Sequence, residues 1–207
     1  MITLLIDTST EDVSIAILKG NKIISNITKS IPNQHSIYTV EMISNSLKKG
    51  RITPQDIEKI MVVTGPGSFT GLRIGVTIAK TYAYLNKIKI IPISSLKMRS
   101  ISIPHDICLS LIDAHHDNYY VGLYNKENDE LIQEQFTTKE KVLELIEKYS
   151  PTIISDKSGI IDKYNYQKQN IDIEKIVEYY QDKKSLNPHL VNPNYLKKPQ
   201  ALEGKND

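Results

Sequence analysis

Cysteine is almost absent. Cys108 is the only one in 207 residues, which excludes an intrachain disulfide and a zinc site built from several thiolates. Its apolar neighbours Ile107 and Leu109 predict a buried, inert thiol. An excess of one charge is missing too. Lys+Arg 26 against Asp+Glu 24 leaves a net charge of +2, so the balance does not mark a dedicated nucleic-acid or membrane binder. Any RNA contact has to be local or shared. No apolar run approaches the roughly 20 residues that cross a bilayer. The opening MITLLIDTST has no basic stretch ahead of an apolar one, so it does not read as a secretion signal. These absences leave a cytoplasmic protein as the expectation, with one large domain or two small ones.

What is present is a duplication. Placing Asp7 over Asp113 aligns LLIDTSTEDVSIAIL with SLIDAHHDNYYVGLY, so that Ile6 matches Ile112, Ile15 matches Val121, Ala16 matches Gly122 and Ile17 matches Leu123. Each half continues with a β-like run, Lys22 to Thr28 and Glu130 to Phe136. Each then has an amphipathic helix, Ser36 to Lys49 and Lys139 to Lys148, and a short strand, Ile60 to Val63 and Thr152 to Ile154. Three meandering strands, a helix, a strand and a helix make the RNase H-like unit. Two copies give the actin-like architecture shared by sugar kinases and Hsp70. The expected fold is therefore α/β, with two tandem RNase H-like lobes spanning 1–98 and 99–207. The second lobe is shortened and ends in a polar, Pro-punctuated, irregular tail from Ser185 onward.

In such folds a nucleotide's phosphates lie between two hairpins, one in each lobe, and backbone amides hold them. The first hairpin, Asp7-Thr8-Ser9-Thr10, is compatible with that role. The second, Asp113-Ala114-His115-His116-Asp117-Asn118-Tyr119-Tyr120, has bulky rings where a phosphate loop needs glycine. Asp7, Thr8, Ser9 and Asp113 thus form at most a vestigial cleft. Two carboxylates facing across it can hold a hydrated magnesium ion, but aspartate ending a strand is also a common turn residue, and that plainer reading is preferred. His115 and His116, taken as strand neighbours, diverge. Asp113 and His115 share a face without further ligands nearby, so no metal site is expected.

The stretch MVVTGPGSFTGLRIGV, Met61 to Val76, crowds glycines at the start of a helix. Gly71 falls one residue late for G-x-G-x-x-G, and the Lys of a phosphate loop is missing. Along that helix Gly71, Gly75, Ala79 and Ala83 form a small-residue stripe. Ile74, Ile78 and Leu85 flank it on one side, with Leu72 and Val76 on the other. The apolar arc spans roughly 200°, about twice what one core needs. In the preceding helix Ile37, Val40, Ile43 and Leu47 make the expected core stripe, Gly50 is the expected stop, and Tyr38 and Met42 are left on the far side. Arg73 in a first helical turn opposes the dipole and predicts an anionic partner. The expectation is a helical docking face that includes Tyr38, Met42, Asn45, Gly71, Arg73, Ile74, Gly75, Ile78, Ala79 and Tyr82.

Ile6-Asp7-Thr8-Ser9, the block GPGSFTGLRIG from Gly65 to Gly75, Ile112-Asp113-Ala114 and Pro193-Asn194-Tyr195-Leu196 resemble the TsaB (formerly YeaZ) family over nearly the whole chain. The resemblance implies a bacterial, cytosolic, non-catalytic subunit without a cofactor. Its role is in making N6-threonylcarbamoyladenosine at position 37 of tRNAs that read ANN codons. It implies a heterodimer with the catalytic paralogue TsaD through the first-lobe helices, association with the ATPase TsaE, self-pairing when TsaD is absent, and tRNA contact only through the complex. TsaD-like proteins carry a His-x-x-x-His metal helix where this chain reads Ser94-Ser95-Leu96-Lys97-Met98-Arg99-Ser100. The family often has a basic residue after Asp-Ala, where His115 stands here. The competing readings are an ATP-binding enzyme of the actin-like class, a metallopeptidase-like protein, and a direct tRNA binder.

Overall fold

The computed structural model describes residues 1–155, 161, 164–168 and 170–197. Its first half runs β1 (Ile2–Asp7), β2 (Asp12–Lys19), β3 (Lys22–Ser30), α1 (His35–Gly50), β4 (Lys59–Gly65), α2 (Phe69–Asn86) and β5 (Ile90–Ser94). After α3 (Ser95–Ile101) the order repeats with β6 (Ile107–Asp113), β7 (Asn118–Asn125), β8 (Glu130–Thr138), α4 (Lys139–Tyr149), β9 (Thr152–Ser155), β10 (Gln167–Lys168) and α5 (Ile173–Tyr180). The two five-stranded sheets have orders β3-β2-β1-β4-β5 and β10-β9-β6-β7-β8. Read from the opposite edge, the second order is the first. These are two RNase H-like units in an actin-like pair.

Both faces of the first sheet are covered, so its central strands are apolar on both sides. Along β2, Val13, Ile15 and Ile17 face α1 and α2, while Ala16 and Leu18 face the other layer. That second layer is supplied across the lobe boundary: Ile173, Ile176, Val177 and Tyr180 of α5 pack on Leu5, Met61, Val63 and Ile93. In return Leu96 of α3 packs against Ile112 and Tyr124 of the second sheet. The boundary expected after residue 98 falls inside α3.

The duplication is real, but its register is not the one read from the sequence. Ile6 pairs with Ile15 and Asp7 with Ser14, whereas Val121 pairs with Leu111 and Asp113 with Tyr119. Six residues separate Asp7 from its partner and five separate Asp113 from its own. The shorter loop moves β6 by one position, and a one-residue slip exchanges faces. Ile112, not Asp113, therefore stands where Asp7 stands in the first lobe.

The tail beginning at Ser185 is more ordered than expected as far as residue 197; residues 198–207 lie outside those described. Leu186 bridges Ile90 at the β5 edge, a short 3₁₀ turn follows at Pro188–Leu190, and the Asn194 amide donates to the Thr64 carbonyl at 2.7 Å. Lys80 Nζ of α2 donates to the Val191 carbonyl at 2.8 Å. This segment straps α2 from its outer side.

Candidate functional site

The glycines around α2 are filled from within the chain. A Cβ at Gly67 would lie 2.3 Å from the Ser9 carbonyl oxygen, one at Gly71 2.1 Å from the Thr8 carbonyl oxygen, and one at Gly75 2.2 Å from Thr8 Oγ1. Thr8 Oγ1 donates to the Gly71 carbonyl at 2.8 Å, and the Ser68 amide donates to the Ser9 carbonyl at 2.8 Å. Ser68 also caps α2 by accepting from the Gly71 amide at 3.2 Å. The loop is a socket for the first hairpin rather than a phosphate cradle: carbonyl oxygens occupy the approach an anion would need.

Between the lobes lies a cleft of about 700 Å³. Glu11, Asp12 and Asp113 line it, with Arg99 as its fully charged cation. Arg99 is buried, donates from Nη1 to the Ser95 carbonyl at 2.6 Å, and interacts electrostatically with Asp7. The rest of the lining is His35, His115 and uncharged residues, so three carboxylates against one guanidinium disfavour a polyphosphate. Asp7 is not part of this lining. It lines an adjoining cavity of about 230 Å³ under α5, with Leu5, Met98 and Ile173, which shares Ser9, Thr10, Asp12 and Arg99 with the cleft. The grouping of Asp7 and Asp113 in one vestigial cleft is therefore corrected by the face exchange in β6, while the preferred reading of both as turn residues agrees with their hydrogen bonds. Each carboxylate instead accepts the amide two residues on, from Ser9 and His115 respectively, both at 2.8 Å. Burial pushes the Asp7 carboxyl above its ordinary value, and the hydrogen bonds from Ser9 pull it back only in part. His115, His116 and Asp117 form a left-handed turn with φ of 64°, 55° and 56°, not the strand assumed from the sequence. Among the described residues no three His, Cys, Asp or Glu side chains converge as metal ligands.

The helix pair departs from its expected orientation. Met42 is 4% exposed and belongs to the core, while Ile37 and Val40 are 65% and 59% exposed. The inner side of α1 is partly polar. His35 Nε2 meets the Thr10 carbonyl at 2.7 Å, Thr39 donates to the His35 carbonyl, and Ser46 donates to Ser25 Oγ. Satisfied polar groups of this kind take core positions without an apolar signal; of the expected core stripe Ile43 and Leu47 are buried, while Ile37 and Val40 face solvent. Tyr38 is half-buried under Lys29 Nζ, 4.7 Å from its ring centroid, and Asn45 is exposed. The helix ends on Arg51 in the left-handed region, not on Gly50.

On α2 the small stripe of Gly71, Gly75, Ala79 and Ala83 is buried inside the chain. These residues therefore serve the hairpin and the sheet and are not free to meet another molecule. Ile74, Ile78 and Tyr82 are half-exposed beside α1, the Tyr82 hydroxyl donates to the Pro54 carbonyl, and Leu85 is 72% exposed. Arg73 lies over the Phe69 ring at 5.3 Å, which stacks on Tyr195 at 4.9 Å. Among the described residues no carboxylate pairs with Arg73, so an aromatic ring takes the place of the expected anion. The large apolar and aromatic side chains exposed on the two adjacent helices are Ile37, Val40, Phe69, Tyr84 and Leu85, with Ile74 and Ile78 half-exposed between the helices and solvent.

Residues 22–201 match the family model described as TsaD, tRNA N6-adenosine threonylcarbamoyltransferase. A Bacillus subtilis relative, the tRNA threonylcarbamoyladenosine biosynthesis protein TsaB, is 36% identical over 64% of this chain and 59% of its own length. The chain thus spans less than two thirds of that relative. A tRNA N6-adenosine threonylcarbamoyltransferase of Fusobacterium nucleatum is 31% identical over 81% of this chain and 55% of its own length. Among solved structures, YeaZ from Pseudomonas aeruginosa superposes with a TM-score of 0.80 at 20% identity, covering 94% of this chain and 99% of that one; this match speaks to the fold. With 180 consecutive positions under one family model, the chain belongs to the TsaD family and within it resembles the proteins named TsaB and YeaZ.

Proposed function

We propose that this chain is a non-catalytic scaffold subunit in tRNA N6-threonylcarbamoyladenosine biosynthesis, one that docks a catalytic TsaD protein against the outward side of α1 and α2. The observation that carries the proposal is the exposed Ile37, Val40 and Leu85 with the half-exposed Ile74 and Ile78 on neighbouring helices, in a chain similar to TsaB proteins. Tyr38, Asn45 and Tyr82 border this run and Arg73 begins it. Met42, Gly71, Gly75 and Ala79 act behind it by holding the helices in place. Without TsaD, the same surface pairs two copies of this chain. The ATPase TsaE and the tRNA join through the complex, with adenosine 37 of ANN-reading tRNAs as the site of transfer. The acidic cleft and the filled glycine socket argue against an ATP-dependent enzyme.

The test is reconstitution with the host's TsaD, TsaE and tRNA. Omitting this chain is expected to abolish threonylcarbamoylation, and the chain alone is expected to have no such activity. Full transfer without it, or transfer by the chain alone, overturns the proposal.

A further inference from the structure

The two lobes meet at a partly buried polar cluster that the docking function does not use. Ser94, the last residue of β5, caps α3 by accepting the amides of Leu96 and Lys97 at 3.1 and 3.2 Å. Its own hydroxyl proton goes to Glu134 Oε1 on β8. Tyr124 of β7 donates to the same oxygen at 2.7 Å. Beside them Lys97 Nζ lies 3.2 Å from Glu130 Oε1 and 5.5 Å from the Tyr124 ring centroid. The Ser94 backbone N–H faces the Tyr180 hydroxyl oxygen of α5 as a donor. Gly122 makes room for the arrangement, since a Cβ there would sit 2.4 Å from Tyr124 Oη. Every partner of the Glu134 oxygen comes from a different element, and the cluster joins the edge of the first sheet to two strands of the second.

We infer that Ser94, Glu134 and Tyr124 form an interlobe latch that fixes the angle between the lobes, so that the cleft is held open and does not close over a ligand. Hinged enzymes of two lobes work by closure about a few flexible residues. Here the connection is a capped helix whose cap is bonded to the far lobe. Tyr124 and Glu134 stay together on neighbouring strands of the second sheet, so opening or closing breaks the bond that Ser94 of the first sheet donates to Glu134 and leaves that half-buried carboxyl oxygen one donor short. The consequence is a rigid platform, in which the docking helices and the second lobe move as one body.

Distance distributions between spin labels test this. Ser36→Cys on the first lobe and Lys139→Cys on the second accept the labels; native Cys108 is fully buried. One narrow distribution is expected in the otherwise unchanged chain, a wider or shifted one in Glu134→Ala, and a narrow one again in Glu134→Gln. Gln keeps the acceptor oxygen, and burial already raises the Glu134 carboxyl toward its neutral form. Lys97 and Glu130 are the charged groups facing it, with Tyr124 and Tyr180 the other titratable neighbours. If Glu134→Ala does not fold, Ser94→Ala removes the cross-lobe bond from the other side, with widening expected. A wide distribution in the unchanged chain, or one as narrow and unshifted in Glu134→Ala and Ser94→Ala as in the unchanged chain, overturns the inference.

Discussion

Val40→Asp separates docking from folding. Val40 is 59% exposed and Met42, two residues away, is 4% exposed, so the same helix offers a surface probe and a core control. Burying a whole Val or Ile side chain yields about 1.5–3 kcal/mol, and covering the open part of Val40 recovers about 1–2 kcal/mol of that. An unpaired carboxylate placed in the contact adds a desolvation cost of about 2 kcal/mol or more. The sum is about 3 kcal/mol, or a roughly 100-fold weaker Kd for TsaD. The melting temperature should stay nearly unchanged, because surface substitutions move stability by about 0.5 kcal/mol or less. Met42→Ala should do the reverse, costing about 2–5 kcal/mol of stability and a melting shift of about 5–15 °C in a chain of this size. Titration calorimetry with TsaD and a thermal melt of each variant read both quantities. TsaD affinity within about threefold of the unchanged chain for Val40→Asp refutes the docking assignment.

Gly75→Ala gains about 1 kcal/mol of helix propensity but drives a Cβ to 2.2 Å from Thr8 Oγ1. A net loss in denaturant midpoint is expected, partly relieved by Thr8→Ala in a double-mutant cycle. Because burial raises the Asp7 carboxyl, the native state holds its proton more tightly than the unfolded chain does. Asp7 therefore makes stability fall as pH climbs from the ordinary carboxylate range through the raised native value. Asp7→Asn should flatten that slope in a series of melts, and an unchanged slope counts against the assignment. The Cys108 thiol, buried and pushed up to about 12, should resist alkylation near neutral pH until the chain unfolds.

The duplicated order of strands and helices was legible because buried strands and amphipathic helices repeat in the same sequence order in both halves. The register was not. A loop shorter by one residue leaves composition and periodicity untouched, yet it moves Asp113 to the other face relative to Asp7. The helix α1 was legible and Ile43 and Leu47 are core as expected, but hydrophobicity also selects Ile37 and Val40 as core, whereas His35, Thr39 and Ser46 take inner positions through hydrogen bonds. The small stripe of α2 signalled a close approach. Its partner proved to be the chain's own first hairpin, and a sequence pattern does not say which backbone comes near. Arg99 and Glu134 carried no local signal, because their surroundings are assembled from both lobes.

Hydrogen exchange of this chain with and without an excess of TsaD tests the central claim most directly. The proposal predicts slowed exchange in α1 and α2 around Ile37, Val40, Ile74 and Ile78, with the hairpin at His115–Asp117 unchanged. Protection confined to that hairpin and the cleft, or none anywhere, contradicts it.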